Sequence, residues 1–261
     1  MDLELAGRWA ITGASSSGLG LACAKALHAE GVHVVINGRG RETLERAVGE
    51  LRSVGDGRGE IRVVQGDIAL AETRERLLEA CPTPDILVTN NGGPPPGPFQ
   101  KSGRAEWERG LNANLLAHVE LINLVVDGMC NRRFGRIVNI TSAMVTTPRP
   151  TMAVSSAARA ALTAAVKGLS LDVARFNVTI NNLLPERFDT ERQRYMAEVA
   201  TVRDGITYDE ARARQVRSIA AGRLGDPREF GAMCAFLCSP LAGFMSGQNI
   251  HLDGGSYPAL V

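Results

Sequence analysis

The chain has 261 residues, of which 44% are hydrophobic and 22% are charged. This composition is typical of a globular protein that buries a large core, and it excludes an intrinsically disordered chain. Lysine and arginine number 29 against 28 acidic residues, which gives a formal net charge of +1. Because no overall field attracts nucleic acid, no nucleic-acid partner is expected.

The cellular location is indicated by features that the sequence lacks. Residues Met1 to Glu4 have neither the basic nor the apolar region of a signal peptide. No apolar run reaches the roughly 18 residues that a membrane-spanning helix needs. The five cysteines form no CxxC pair, and the four histidines have no metal-binding spacing. We therefore expect a cytoplasmic protein with reduced thiols, no metal site and no membrane contact.

Short apolar runs rich in β-branched residues alternate with longer segments of helical periodicity, a pattern typical of βαβ units. The predicted strands are 8–12, 33–37, 61–65, 85–89, 136–140, 179–184 and 249–252. The predicted helices are 18–30, 41–53, 71–80, 112–132, 152–176 and 227–238. The last of these begins with Asp226, Pro227 and Glu229, which match a capping box. We predict an α/β fold, namely a single doubly wound Rossmann domain over residues 1–261, with a seven-stranded parallel sheet and helices on both faces.

Three stretches interrupt the alternation: 92–103, 143–150 and 185–225. In parallel sheets, ligands bind beyond the carboxyl ends of the strands, so we place the function in these loops. The third stretch, 185–225, is long, charged and partly helical in pattern. We interpret it as a mobile lid segment and not as a separate domain.

A glycine-rich turn, TGASSSGLG at 12–20, joins the first predicted strand to the first helix. Glycines at such a position let backbone N–H groups approach a pyrophosphate, which the positive end of the following helix also favours. A strand-to-helix turn without a ligand is the alternative interpretation. The predicted phosphate contacts are Gly13, Ser15, Ser16, Ser17, Gly18 and Leu19.

Together with NNGG at 90–93 and GQNIHLDGG at 247–255, this turn resembles the short-chain dehydrogenase/reductase family over residues 7–255. The family's turn reads TGxxxGxG, and the turn here is one residue longer. Either it carries an insertion after Gly13, or Ala14 stands where the family has its first glycine.

The resemblance implies a nicotinamide dinucleotide as the cofactor. Arg39 follows the second strand, where an arginine holds the 2′-phosphate of NADP and an acidic residue would select NAD. NADP(H) is therefore favoured over NAD(H), unless Arg39 is only an exposed residue at a helix start. The family pattern further implies cofactor contacts for Asp67, Ile68, Asn91, Gly92, Gly93, Arg159, Pro185 and Thr190. Glu186 replaces a usual glycine, and it either places a charge beside the nicotinamide pocket or turns outward.

The resemblance also implies the catalytic positions, and two of them are altered. Asn114 and Ser142 match the family's asparagine and serine, whereas Ser155 and Arg159 stand at its tyrosine and lysine. A spacing of four residues keeps the last two on one helical face. An aliphatic hydroxyl is a much weaker acid than a phenol of pKa about 10, although Arg159 can still hold a ribose. Compensation by Tyr195 or by a water held between the two serines remains open.

Two functions are compatible with these residues. The first is an NADP(H)-dependent oxidoreductase for a carbonyl or alcohol substrate, similar to a divergent subgroup named after β-ketoacyl-acyl-carrier-protein reductases. The alternative is a dinucleotide-binding protein that has lost this activity and acts as a sensor or assembly module. Segment 152–176 is rich in alanine and is expected to be buried on all sides. Since the family uses this helix at subunit interfaces, a homotetramer or homodimer is expected.

Overall fold

The computed structural model describes residues 1–54 and 59–260, and within them seven strands form one parallel sheet in the order β3-β2-β1-β4-β5-β6-β7. The strands are β1 Trp9–Thr12, β2 His33–Gly38, β3 Ile61–Gln65, β4 Ile86–Thr89, β5 Gly135–Ile140, β6 Val178–Pro185 and β7 Asn249–Leu252. The predicted fold class is confirmed. The strand order reverses between β1 and β4, which places a ligand crevice beyond their carboxyl ends.

The helices flank the sheet. They are α1 Gly18–Ala29, α2 Arg41–Arg52, α3 Ala71–Ala80, α4 Arg104–Leu111, α5 Ala117–Arg132, α6 Ala153–Val173, α7 Glu191–Asp204, α8 Tyr208–Val216 and α9 Pro227–Cys238. The capping box at the start of α9 is confirmed, because the side chains of Asp226 and Glu229 each accept from the other's backbone N–H. The lid segment contains α7 and α8.

The core has two layers, one on each face of the sheet. Val34 and Ile36 of β2 pack with helices α1, α2 and α9, whereas the intervening Val35 packs with the opposite layer around α3, α5 and α6. Side chains alternate across a strand, so a strand covered on both faces is apolar at every position. This is the reason that β2 and β4 read as continuous apolar runs.

The helical stretch that includes the predicted helix 112–132 begins at Arg104, which is earlier than expected. A separate helix, α4, precedes the predicted one, and a π-helical turn over Asn112–Leu116 joins α4 to α5. Helix α4 was not predicted because its sequence is mostly polar and contains Gly110. That glycine is required by packing, since a Cβ on it would lie 2.2 Å from Val154 Cγ1 of α6.

The expectation that segment 152–176 is buried on all sides is wrong for the single chain. Leu162 and Val166 of α6 face the core, but the opposite side of the helix is exposed, including Leu171 at 71%. Alanine favours a helix whether or not it is buried, so composition alone did not identify the exposed side. A subunit interface on this side stays a prediction.

The helical stretch Arg104–Arg132 is long enough to cross a membrane, and it contains an 18-residue window with a mean hydropathy of 1.3. Core helices of soluble proteins meet the same criteria, and 44% of this window is buried inside the protein. Its buried residues, among them Leu121 and Val125, pack against the sheet. The expected absence of a membrane stays a prediction.

Candidate functional site

A cavity of about 700 Å³ opens at the carboxyl ends of the strands, where the strand order reverses. It brings together most of the residues predicted from the sequence. These are Ser16, Ser17, Gly18, Leu19, Arg39, Asp67, Ile68, Asn91, Gly92, Gly93, Ser142, Ser155, Arg159, Pro185 and Thr190. We call this cavity the crevice.

Two predicted phosphate contacts, Gly13 and Ser15, do not line the crevice. Ser15 is fully buried, and its hydroxyl donates to Thr12 O at 2.7 Å and accepts from Asn37 N at 3.0 Å. The N–H groups of Gly13 and Ser15 donate to Val88 O and Asn37 O. The polar groups of both residues already have protein partners, so these residues stabilise the conformation of the turn.

The conformation of Ala14 distinguishes the two interpretations of the turn. This residue has φ +42°, a left-handed conformation that favours glycine. The observation favours the alternative in which alanine occupies a glycine position over the one in which the turn carries an insertion. The N–H groups left for an anion are those of the first turn of α1, which have no intrahelical partner.

Asn37, at the end of β2, was missed as a site residue. Its Oδ1 accepts from Ala14 N at 3.2 Å, and its Nδ2 donates to Val64 O and Gly66 O at 3.0 and 3.1 Å. One amide thus connects the glycine-rich turn to the end of β3. The available signal was a buried asparagine at the end of an otherwise apolar strand.

One end of the crevice fits the phosphates of a dinucleotide. The turn approaches β2 so closely that a Cβ on Gly38 would lie 2.6 Å from Ser16 Oγ. Arg39, next in the chain, is exposed, and in the described part of the chain its guanidinium has no hydrogen-bond or ion-pair partner. Unpaired helix N–H groups and a free guanidinium are the donors that phosphates require.

The other end of the crevice is organised by Arg159 of α6. Its Nη1 donates to Ile140 O at 2.8 Å and to Thr141 O at 3.0 Å, and its Nη2 donates to Asn91 O at 3.4 Å. Its Nε donates to Ser155 Oγ at 3.4 Å. A guanidinium has about five N–H donors, so one N–H on Nη2 is left for a ligand. Burial, followed by the charge of Arg192, lowers the pKa of Arg159 to about 10, which leaves it charged at neutral pH.

Ser142 and Ser155 both line the crevice and both accept a hydrogen bond from the protein. Ser142 Oγ accepts from Met144 N at 3.2 Å, and Ser155 Oγ accepts from Arg159 Nε. Because an N–H occupies one lone pair of each oxygen, each O–H is free to donate into the crevice. The arrangement can hold a ligand oxygen that gains negative charge.

Asn114 does not line the crevice, so its predicted catalytic position is a supporting one. It is fully buried in the π-helical turn, and its Nδ2 donates to Gly92 O at 3.4 Å. One turn later, His118 is also fully buried. Among the described residues, Asn114 Oδ1 and both ring nitrogens of His118 have no hydrogen-bond partner. Burial, and then the charge of Arg159, lowers the pKa of His118 to about 3, so the ring is neutral.

The lid segment supplies a charged wall. Glu186 points inward with its side chain 6% exposed, and it pairs with Arg149 and, at 3.6 Å, with Arg187. The alternative in which Glu186 turns outward is therefore wrong, and a position beside the nicotinamide pocket stays a prediction. Tyr195 is 62% exposed and lies outside the crevice, which argues against its compensating for the altered catalytic position.

Comparisons with known proteins cover nearly the whole chain. A family model described as enoyl-(acyl carrier protein) reductase matches residues 13–257. The 3-oxoacyl-[acyl-carrier-protein] reductase FabG of Vibrio harveyi is 28% identical over 98% of this chain and 99% of its own length. The NADPH-dependent reductase BacG of Bacillus subtilis is 28% identical over 97% and 99%, respectively. The crystal structure of L-sorbose reductase from Gluconobacter frateurii, complexed with NADPH and L-sorbose, has a TM-score of 0.93 at 26% identity and covers 100% of both chains.

Proposed function

Because the chain belongs to the short-chain dehydrogenase/reductase family, we propose that it is an NADP(H)-dependent oxidoreductase that acts on a carbonyl or alcohol group of a small molecule. The observation that carries this proposal is the crevice itself. A free guanidinium, Arg39, lies at one end, and two free hydroxyls, Ser142 and Ser155, lie at the other. The crevice therefore offers donors both for a phosphate and for a reacting oxygen.

The preference for NADP(H) rests on charge. The residue after β2 selects between the two cofactors, and a guanidinium binds a 2′-phosphate through two parallel hydrogen bonds. Arg39 is exposed and available for this contact. The relatives BacG and L-sorbose reductase, which use or bind NADPH, support the same choice. Asp67 and Ile68 would contact the adenine, and Gly92, Gly93 and Thr190, which also line the crevice, would hold the rest of the dinucleotide.

When bound, NADPH supplies the hydride that reduces a carbonyl carbon, and the protein supports the change at oxygen. The hydroxyls of Ser142 and Ser155 donate to the carbonyl oxygen, where negative charge develops. Arg159 donates to Ser155 Oγ and remains charged, which makes that hydroxyl a better donor. Because serine is a weak acid, the proton that completes the alcohol comes from water through this pair of hydroxyls.

A second candidate is a dinucleotide-binding protein without dehydrogenase activity. A specific observation favours it: none of the tyrosines in the described residues lines the crevice. Four of the five donors of Arg159 are also bound to protein atoms, which limits its contribution to a ligand. Under this alternative, the crevice still binds NADPH.

Two measurements separate these functions. Thermal stabilisation by NADPH, larger than that by NADH, supports the cofactor site, and its absence contradicts both functions. Oxidation of NADPH, followed by its absorbance over a panel of ketones and aldehydes, supports the oxidoreductase. Binding without turnover of any carbonyl or alcohol substrate favours the second candidate.

We further propose a homotetramer or homodimer in the cytoplasm. The exposed side of α6 carries Leu171 and a row of alanines, which let a second helix approach closely. Light scattering on the purified protein tests the assembly. A Leu171→Glu variant is expected to dissociate it, and a monomeric wild-type protein contradicts it.

A further inference from the structure

The reacting end of the crevice contains a second arginine, Arg192, from the start of α7. A Cβ on Gly93 would lie 3.9 Å from Arg192 Nη2, 3.7 Å from Arg159 Nη2 and 3.7 Å from Ser155 Oγ. Nitrogen atoms of the two guanidinium groups and the Ser155 hydroxyl oxygen therefore lie within 4 Å of the position that a Cβ on Gly93 would occupy. Two like charges are brought together here, and the charge of Arg192 adds to burial in lowering the pKa of Arg159.

Four other arginines of α7 and α8 have carboxylate partners. Arg194 and Arg212 both pair with Asp189, and Arg203 and Arg214 both pair with Asp204. Within residues 1–54 and 59–260, the guanidinium of Arg192 forms no ion pair and no hydrogen bond. Arg192 is an exposed residue that lines the crevice, so its guanidinium is available to a ligand there.

The surrounding charges strengthen the attraction for an anion. Glu186 is shared by Arg149 and Arg187, so this part of the wall carries one more positive than negative charge. Arg159 adds a second cation, which has no carboxylate partner in the part of the chain that the structure describes, and one of its N–H groups is free. The reacting end is therefore positive even without Arg192.

We infer that Arg192 binds an anionic group of the substrate and that this group is a carboxylate next to the carbonyl that reacts. The inference rests on the proposed function and names its substrate class, the 2-oxo acids and their 2-hydroxy acid products. The carboxylate is placed next to the carbonyl because Arg192 Nη2 and Ser155 Oγ both lie within 4 Å of the position that a Cβ on Gly93 would occupy. A guanidinium holds a planar carboxylate through two parallel hydrogen bonds.

A phosphate of the cofactor is the other oxyanion that could use Arg192. Its expected donors are elsewhere, at the start of α1 and at Arg39. Arg192 instead lies with Ser155 and Arg159, the residues of the reacting end. Binding measurements with a small carboxylate and with NADPH separate the two sources.

The probe is oxalate, with its uncharged diamide, oxamide, as the matched ligand. Calorimetric titration of the NADPH-saturated protein is expected to give saturable binding of oxalate with one site per chain and no binding of oxamide. Arg192→Gln is expected to weaken oxalate about tenfold or more, because a charge-assisted hydrogen bond is lost. Arg192→Lys keeps part of the affinity. The control is Arg217→Gln. Among the described residues, Arg217 of the lid segment also has no ion-pair or hydrogen-bond partner, but it does not line the crevice, so the oxalate affinity of this variant is expected to stay at the wild-type value.

Three results overturn the inference. They are the absence of oxalate binding to the wild-type protein, equal affinities of wild type and Arg192→Gln, and a variant that loses NADPH affinity while it keeps oxalate affinity. The last result assigns Arg192 to the cofactor. Titration without NADPH keeps the test separate from the proposed function. Arg192-dependent oxalate binding to a protein that fails to bind NADPH supports the anion site and rejects only the cofactor.

Discussion

The close approach between the glycine-rich turn and β2 predicts that Gly38→Ala damages cofactor binding. A Cβ at this position would lie 2.6 Å from Ser16 Oγ and 2.7 Å from Ser16 Cβ. Gly38 has no positive φ, so alanine adds a steric conflict and no backbone strain. Since Ser16 Cβ is attached directly to the backbone of the turn, the turn itself has to move.

The magnitude follows from the cost of overpacking, about 1–3 kcal/mol. If the turn moves to relieve the conflict, the Kd for NADPH is expected to rise about 5- to 150-fold, which is the same free energy expressed as affinity. If the turn stays in place, the cost appears as a fall in Tm of about 2–6 °C for a chain of this length. Titration calorimetry and differential scanning calorimetry on one preparation measure both quantities.

A second substitution identifies the cause. Ser16→Gly removes the clashing atoms, so the double variant Gly38→Ala/Ser16→Gly is expected to bind NADPH more tightly than Gly38→Ala alone. Gly49→Ala is the control, because no atom of the described residues lies within 4 Å of a Cβ at that position of α2. Wild-type affinity and Tm for Gly38→Ala, or a double variant as impaired as the single one, refutes the reasoning.

Three further predictions concern the chemistry of the crevice. Arg39→Ser is expected to raise the Kd for NADPH about 10- to 100-fold and to leave NADH binding unchanged, and equal losses for both cofactors contradict the 2′-phosphate contact. Ser155→Tyr with Arg159→Lys introduces a phenol and an ammonium, and it is expected to raise ketone reduction about 100-fold; no gain in a variant that binds NADPH counts against the assigned positions. The pKa of His118 is about 3 in the folded protein, whereas its ordinary value is 6.5. As the pH falls, the unfolded chain therefore binds the proton before the folded protein does. The free energy of unfolding is expected to decrease as the pH falls from 6.5 towards 3. Urea unfolding of His118→Phe is expected to show a pH slope in this range smaller by up to about 1.4 kcal/mol per pH unit, and parallel slopes contradict a neutral buried ring.

The sheet was predictable from the sequence because each strand is a short apolar run and each crossover has its own helical period. Most boundaries differ by no more than one residue, and those of β3, β7, α3 and α9 agree. Helix α4 was not predictable in this way. Its sequence is mostly polar, and its Gly110 is explained by close packing against Val154, more than 40 residues away in the chain.

The candidate site was predictable where a motif carries it and not where contacts between distant segments create it. The hydroxyls of Ser142 and Ser155 and the position of Arg39 follow from local sequence. The role of Asn37 depends on three strand ends meeting, and the role of Arg192 depends on the lid segment folding over Gly93. No spacing rule brings these residues together, so only the structure identifies them.

The same distinction explains Arg159. From the sequence it is a substitute for a lysine that holds a ribose. In the structure it mainly holds the ends of β4 and β5 together, because three of its hydrogen bonds go to the carbonyls of Ile140, Thr141 and Asn91. The planar shape of a guanidinium allows several such contacts at once, and a compact ammonium ion has fewer donors.

A crystal structure of the protein grown with saturating NADPH tests the central claim most directly. We predict a dinucleotide along the crevice, with its 2′-phosphate within hydrogen-bond distance of the Arg39 guanidinium and its nicotinamide ring facing Ser155 Oγ. Density for NADPH elsewhere, or an empty crevice in the presence of saturating cofactor, contradicts the proposed function.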